Sequence, residues 1–342
     1  MRDETLLAAL LEGKVAALAR AVSIVENGRS GFEGLLAGLH PRLGRARRIG
    51  LTGPPGAGKS TLIERLVGAF RADGLRVGVV AVDPTSPFTG GALLGDRIRM
   101  ERVALDPGVY IRSMATRGSL GGLATATREV CDVLDAAGFD RIIVETVGVG
   151  QSELDVTRMA DQTILVLVPE SGDGIQTLKS GVIEAADLFV INKGDRPGAE
   201  KLRRELELAL DLRMGRASRN VPAHHGAMKG VKSAPVVDDA RWRPTVRIST
   251  AVAGDGITEI VAGLDEHWQW LEESGTLEQR RRARVAQRTR DVVERAMRRW
   301  VWHESHADEM ITARLDDLAA GRVSPYELAG DIVAGLKEGA RV

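Results

Sequence analysis

The stretch "RARRIGLTGPPGAGKSTLIERLVGAF", residues 45–70, decides the fold. A short apolar segment, 48–52, meets a Gly/Pro loop, and an amphipathic helical pattern follows at once. Within it, Gly53 to Ser60 reads G-x-x-x-x-G-K-S, a phosphate-binding loop in its required setting between a strand and a helix. The spacing has a physical reason. Gly53, Gly56 and Gly58, with Pro55 and Ala57 between them, let backbone amides turn inward around a β-phosphate. Lys59 places a point charge between the β- and γ-phosphates. The Ser60 hydroxyl is a Mg²⁺ ligand, and the helix that continues through Thr61 aims its N-terminus at the anion.

Outward from this loop, strand and helix patterns alternate. "LRVGVVAVD" (75–83), "RIIVET" (141–146), "QTILVLV" (162–168), "LFVIN" (188–192) and "TVRIST" (245–250) are nearly continuous apolar runs. Such runs separated by helices indicate a mostly parallel sheet covered by helices on both faces, an α/β fold of the P-loop NTPase kind. Ligands of these sheets bind at the carboxyl ends of the strands. Residues 1–45 read as an N-terminal helical segment, with one helical run over 3–27 and a short helix over 30–39. The nucleotide-binding domain is expected over 46–262, with an insertion at about 213–242 where the pattern breaks. Residues 263–342 read as a charged helical region whose last helix covers about 325–337.

Composition narrows the function. The chain has 342 residues, 47 Lys+Arg against 47 Asp+Glu and 4% aromatics, a balance that argues against nucleic-acid binding through bulk charge or stacked bases. One cysteine, Cys131, excludes a disulfide framework and a thiolate zinc site within the chain. No run approaches the roughly 20 apolar residues of a membrane span. The N-terminus lacks the apolar core of a signal peptide, so a cytoplasmic protein is expected.

Asn192-Lys193-Gly194-Asp195 follows an apolar run and matches N-K-x-D, a guanine-reading element. A carboxylate at Asp195 accepts from guanine N1–H and the 2-amino group together. Adenine has no such donor pair and would leave the acid unpaired. Lys193 would lie along the base, and Asn192 would tie this loop to the phosphate loop. Downstream, Thr250-Ala251 stands where an amide meets the guanine oxygen. The nucleotide expected is GTP or GDP.

Three acids complete the phosphate end. Glu145 and Gly148 in "ETVG" keep the spacing of D-x-x-G, with the acid one methylene longer. There the acid holds a metal-bound water and the glycine amide contacts the γ-phosphate. Asp83 ends its apolar run, and Asp96 closes the glycine-rich segment that follows. Such a loop suits a switch ordered by γ-phosphate and Mg²⁺. Taken as one motif, Ser60, Asp83, Asp96 and Glu145 are the candidate metal and switch groups.

Together "GPPGAGKSTL", "AVDPTSPFTGGALLGDRIRM", "RGSLGGLATATRE", "ETVGVGQSE" and "NKGD" resemble the MeaB/MMAA/ArgK family of G proteins, in the SIMIBI class of P-loop GTPases. The resemblance runs over about residues 1–340 and is densest from 50 to 195. It implies a chaperone of an adenosylcobalamin-dependent acyl-CoA mutase, chiefly methylmalonyl-CoA mutase, that gates cofactor loading and protects or reactivates the mutase. It implies catalytic roles for Lys59, Asp83, Asp96, Glu145 and Gly148. It also implies a third mobile loop over 169–181, with Gln176 and Lys179 moving with it, and a homodimer formed through the C-terminal helical arm. A cob(I)alamin adenosyltransferase stays open as a third partner. Gln151 is the nearest candidate to position the attacking water, and slow intrinsic hydrolysis raised by a partner is expected.

A GTP- or ATP-dependent kinase of a transport system or small molecule is the alternative; it would have no particular need for N-K-x-D. A scaffold that binds nucleotide without turnover fits poorly with Lys59, Ser60 and Glu145 all present. His224-His225 and His303/His306 are suggestive pairs, but a dedicated transition-metal site is not expected. The arginine-rich run 280–299 reads as a solvated or dimer-facing helix. Met159 and Met297 read as core or interface residues.

Overall fold

The computed structural model describes residues 3–83, 100–115, 122–146, 152–172, 180–214 and 241–339. Asp96, Gly148, Gln151, Gln176, Lys179, His224, His225 and most of the insertion lie outside them. The chain forms two compact units, Met1–Leu277 and Glu278–Val342.

The first unit is built on seven strands: β1 (Arg47–Thr52), β2 (Val77–Asp83), β3 (Val109–Ala115), β4 (Arg141–Thr146), β5 (Gln162–Leu167), β6 (Leu188–Ile191) and β7 (Thr245–Ile248). All pairings are parallel, in the order β3-β2-β4-β1-β5-β6-β7. Six of the strands are the expected apolar runs. β3 was not expected. It lies at the sheet edge, where Ile111 and Met114 are buried and Tyr110, Arg112 and Ser113 are half-buried, so "VYIRSMA" never becomes a continuous apolar run.

Side chains alternate across the sheet and build a core on each face. Ile142 and Val144 pack toward the helices Asp3–Leu11, Val15–Glu26, Phe32–Leu39 and Gly122–Ala136. Their neighbour Ile143 packs with Ile49, Leu51, Ile164 and Val166 against helices Lys59–Ala72 and Ile257–Glu273. Helix Ala199–Arg213 covers Leu165, Leu167, Phe189 and Ile191. The N-terminal run is two helices, because the chain turns at Gly13, φ 79°. The expected boundary at 262/263 falls inside helix Ile257–Glu273, which lies wholly within the first unit.

Helix Ser152–Met159 carries the chain from β4 across β1 to β5. It comes so close to β1 that a Cβ on Gly50 would stand 2.4 Å from Val156 Cγ1. Met159 is buried in the core beside it.

Near the amino end of β1 a buried ionic group ties helix Gly122–Ala136 to the sheet and to the segment that leads into it. Arg48 reaches Asp132 at 2.8 Å and Asp135 at 3.1 Å. Asp135 also accepts the amides of Gly44, Arg45 and Ala46 at 2.8–3.1 Å. Burial works against the Arg48 charge, yet Asp132 and Asp135 raise its pKa overall. Cys131 beside them is buried, and burial pushes its thiol up to about 12.

The second unit holds most of helix Thr276–Arg299, a π turn at Trp300–Glu304 and helices Ala307–Ala313, Leu315–Ala319 and Pro325–Gly339. A small core gathers Ala307, Leu328 and Ile332. No described residue of Thr276–Arg299 is buried; Val285, Val292, Val293 and Met297 are all exposed. Among the described residues, no helix is long and apolar enough to cross a membrane.

Removing one partner of a buried ion pair leaves the other charge uncompensated. Asp135→Ala should therefore lower unfolding free energy by about 3–5 kcal/mol, read from urea denaturation. Cys131 should resist a thiol reagent at pH 8 in the folded protein and react fully in denaturant, since its protonated thiol is both buried and weakly nucleophilic.

Candidate nucleotide site

The phosphate loop leaves β1 at the middle of the sheet, where the neighbouring strands β4 and β5 lead to opposite sides. This is the switch point at which open α/β sheets bind ligands. Gly53 adopts φ 141°, and a Cβ there would meet the carbonyl oxygen of Val166 at 2.1 Å. Gly58 adopts φ 85°, and its Cβ would meet Asn192 Nδ2 at 2.3 Å. Both positions thus require glycine for conformation and for space.

Inside the loop, the Lys59 ammonium donates to Gly53 O at 2.9 Å and Pro54 O at 3.1 Å. Lys59 is 6% exposed, so its charge is held within the loop and away from bulk water. Ser60 Oγ donates to Glu145 Oε1 at 2.9 Å, and both residues are buried. Glu145 reaches this place because β4 and β1 run in register, Leu51 opposite Glu145. One residue further, Thr146 Oγ1 donates to Thr52 Oγ1 at 3.2 Å and ties the two strand ends.

A hydroxyl and a carboxylate this close form a hard oxygen donor set. That set fits Mg²⁺, which is held by one or two carboxylates together with substrate phosphates and water. Of the other two candidate acids, Asp83 ends β2 at the same carboxyl edge, two positions past the residue that pairs with Glu145.

Directly after β6 the N-K-x-D loop begins. Asn192, 3% exposed, is its anchor. Its Nδ2 donates to Ala57 O in the phosphate loop at 2.8 Å. Its Oδ1 accepts from Ser249 Oγ at 3.3 Å and from the Ala251 amide at 3.1 Å. One carboxamide therefore joins the phosphate loop, the N-K-x-D loop and the Thr250-Ala251 turn. Lys193 is half-buried with φ 59°, and Asp195 is exposed. Gly194 packs so closely that a Cβ would meet Ile248 Cγ2 at 2.4 Å.

The sequence pattern found Asn192, Thr250 and Ala251 but missed Ser249, the hydroxyl on the same carboxamide. Ser249 was legible in principle, being adjacent to Thr250. Thr52 gave no signal, because one hydroxyl at a strand end has no motif.

The chain is similar to known proteins. The family model for "Methylmalonyl Co-A mutase-associated GTPase MeaB" matches residues 18–306. A putative GTPase of Pyrococcus horikoshii is 46% identical over 290 residues, 85% of this chain and 85% of that protein. The mitochondrial methylmalonic aciduria type A homolog of Caenorhabditis elegans is 34% identical over 315 residues, 88% of this chain and 71% of that protein. A crystal structure of an LAO/AO transport system kinase superposes with a TM-score of 0.66 at 28% identity, covering 98% of this chain and 97% of that one.

Gly58→Ala should drive the Asn192 side chain out of its contact and lower nucleotide affinity by at least about tenfold, roughly the 1.4 kcal/mol that one displaced hydrogen bond represents. Titration of the variant with a fluorescent guanine nucleotide reads this directly.

Proposed function

The chain belongs to the MeaB family of methylmalonyl-CoA mutase-associated GTPases, and from that premise we propose that it is a GTP-driven chaperone of an adenosylcobalamin-dependent acyl-CoA mutase. It hydrolyses GTP to GDP and phosphate. In this reading the client is a methylmalonyl-CoA mutase, and the nucleotide state gates cofactor loading and protects or reactivates the mutase. A cob(I)alamin adenosyltransferase is the candidate third partner.

The observation that carries the reading is the Asn192 junction, which holds a base-reading loop against a phosphate loop. A guanine base seated there would present N1–H and the 2-amino group to Asp195. Lys59 would leave its loop carbonyls for the β- and γ-phosphate oxygens, exchanging two neutral acceptors for charged ones. Ser60 and Glu145 would hold Mg²⁺, Glu145 through a bound water, with Asp83 and Asp96 as the further acids. Mg²⁺ when bound neutralises charge developing on the phosphate oxygens. The chain's own part is to bind, orient and exclude water. Gly148 would donate its amide to the γ-phosphate, and Gln151 would orient the attacking water.

Slow turnover alone, on the order of 10⁻⁴ to 10⁻² s⁻¹, and acceleration by the client belong to this reading. Gln176 and Lys179 would carry the nucleotide state to that client. The nucleotide can shift the complex only by its differential affinity for two states. The exposed apolar row Val285, Val292, Val293 and Met297 supports self-association through the C-terminal helices. The kinase alternative shares the superposed transport system kinase but leaves the N-K-x-D loop without a role.

GTP turnover with and without a methylmalonyl-CoA mutase tests the reading. Several-fold acceleration that Lys59→Ala abolishes is the expected result, and Glu145→Gln should lower turnover at least about tenfold by weakening the metal site. Phosphate appearing on an added acceptor, rather than free in solution, would favour the kinase. Separately, Val292→Asp with Val293→Asp should convert a dimer to a monomer in light scattering.

A further inference from the structure

Arg65 belongs to none of the motifs. It stands on helix Lys59–Ala72, on the turns that follow the phosphate loop, and is half-buried. Its Nε donates to Ala251 O at 2.9 Å, and its terminal NH2 group donates to Val252 O. Both carbonyls belong to a turn closed by Thr250 N donating to Asp255 O at 3.1 Å and Gly254 N donating to Thr250 O at 2.9 Å. From the other side, the Ala251 amide is held by Asn192 Oδ1.

A guanidinium is planar, and its donors form a fixed fork. Two successive carbonyls on one fork therefore fix the orientation of two successive peptide planes. In a trans peptide the C=O of Ala251 and the N–H of Val252 point in opposite directions. Holding Ala251 O on Arg65 thus turns the Val252 amide away from helix Lys59–Ala72. Val252 itself is 77% exposed, so its side chain does not hold this turn in place.

We propose that Arg65 is a positioning residue for base recognition: it holds the Ala251–Val252 turn so that the Val252 amide meets the 6-keto oxygen of a guanine nucleotide. The same fork ties that turn to the helix that carries Lys59 and Ser60, so base end and phosphate end share one rigid element. The inference rests on the guanine reading above and adds to it the residue that aims the keto-oxygen donor. Contacts to N1–H and the 2-amino group, through Asp195, are independent of it.

Calorimetric titration of the full chain, with Mg²⁺ present, tests this using three diphosphates. GDP has all the contacts. Inosine diphosphate keeps the keto oxygen and lacks the 2-amino group. 6-Thio-GDP keeps both donors and replaces the oxygen with sulfur, a weak acceptor. Arg65→Ala should weaken GDP and inosine diphosphate by a similar factor, about tenfold, and 6-thio-GDP by less than about threefold. Arg65→Lys should restore only part of the loss, because an ammonium lacks the planar fork. An equal loss for all three ligands would mean that Arg65 only packs the helix, and no loss for any would remove its role; either overturns the proposal. Each ligand ratio is taken within one variant, so a general loss of stability, followed by melting temperature, does not mimic the pattern. If the unaltered chain binds ADP as tightly as GDP, the guanine reading itself fails, whatever Arg65 does.

Discussion

The candidate nucleotide site depends on one buried carboxamide. Asn192 donates to the phosphate loop and accepts from both the Ser249 hydroxyl and the Ala251 amide. A single hydrogen bond of this kind has a modest net worth, about 1 kcal/mol. Losing the group would leave several buried donors and acceptors without partners, each costing about 1–3 kcal/mol. The asymmetry makes Asn192 a geometric constraint. It fixes the distance between the phosphate-loop motif and the N-K-x-D loop.

The parallel sheet makes that constraint possible. Every strand delivers its carboxyl end to the same edge, and register decides which residues arrive side by side. Leu51 opposite Glu145 brings a carboxylate from β4 next to the helix that begins at Lys59. Ile191 opposite Ile248 brings Asn192 next to Ser249. Residues far apart in sequence, such as Ser60 and Glu145, become hydrogen-bonded through strand pairing alone. Gly50 contributes from below, since its missing side chain lets helix Ser152–Met159 cross β1 closely and keeps the order of strands compact.

What was legible in the sequence had a local signature. The phosphate loop combines glycines with a lysine at fixed spacing, and the central strands are apolar on both faces, so both could be read directly. The edge strand β3 could not. Only part of it is buried, so residues such as Arg112 and Ser113 interrupt its apolar pattern. The break at Gly13 was hidden because the apolar spacing continues across it. Arg65 was beyond reach for a different reason: one arginine on an amphipathic helix is ordinary, and only the fold brings Ala251 and Val252 to it. Met297 shows the converse. Its helical spacing suits a packed position, yet the side chain is exposed within its own unit.

Lys193 carries one more consequence. Its backbone is held at φ 59°, with Asn192 N donating to Leu167 O and Gly194 N to Ser249 O on either side. The left-handed conformation costs an ordinary residue roughly 1–2 kcal/mol, a cost glycine does not bear. Folding alone would favour glycine at this position. On the proposed guanine reading, a lower folding stability is exchanged for a long cationic side chain beside the acid that would read the base. On that proposal, stability and ligand recognition pull this residue in opposite directions.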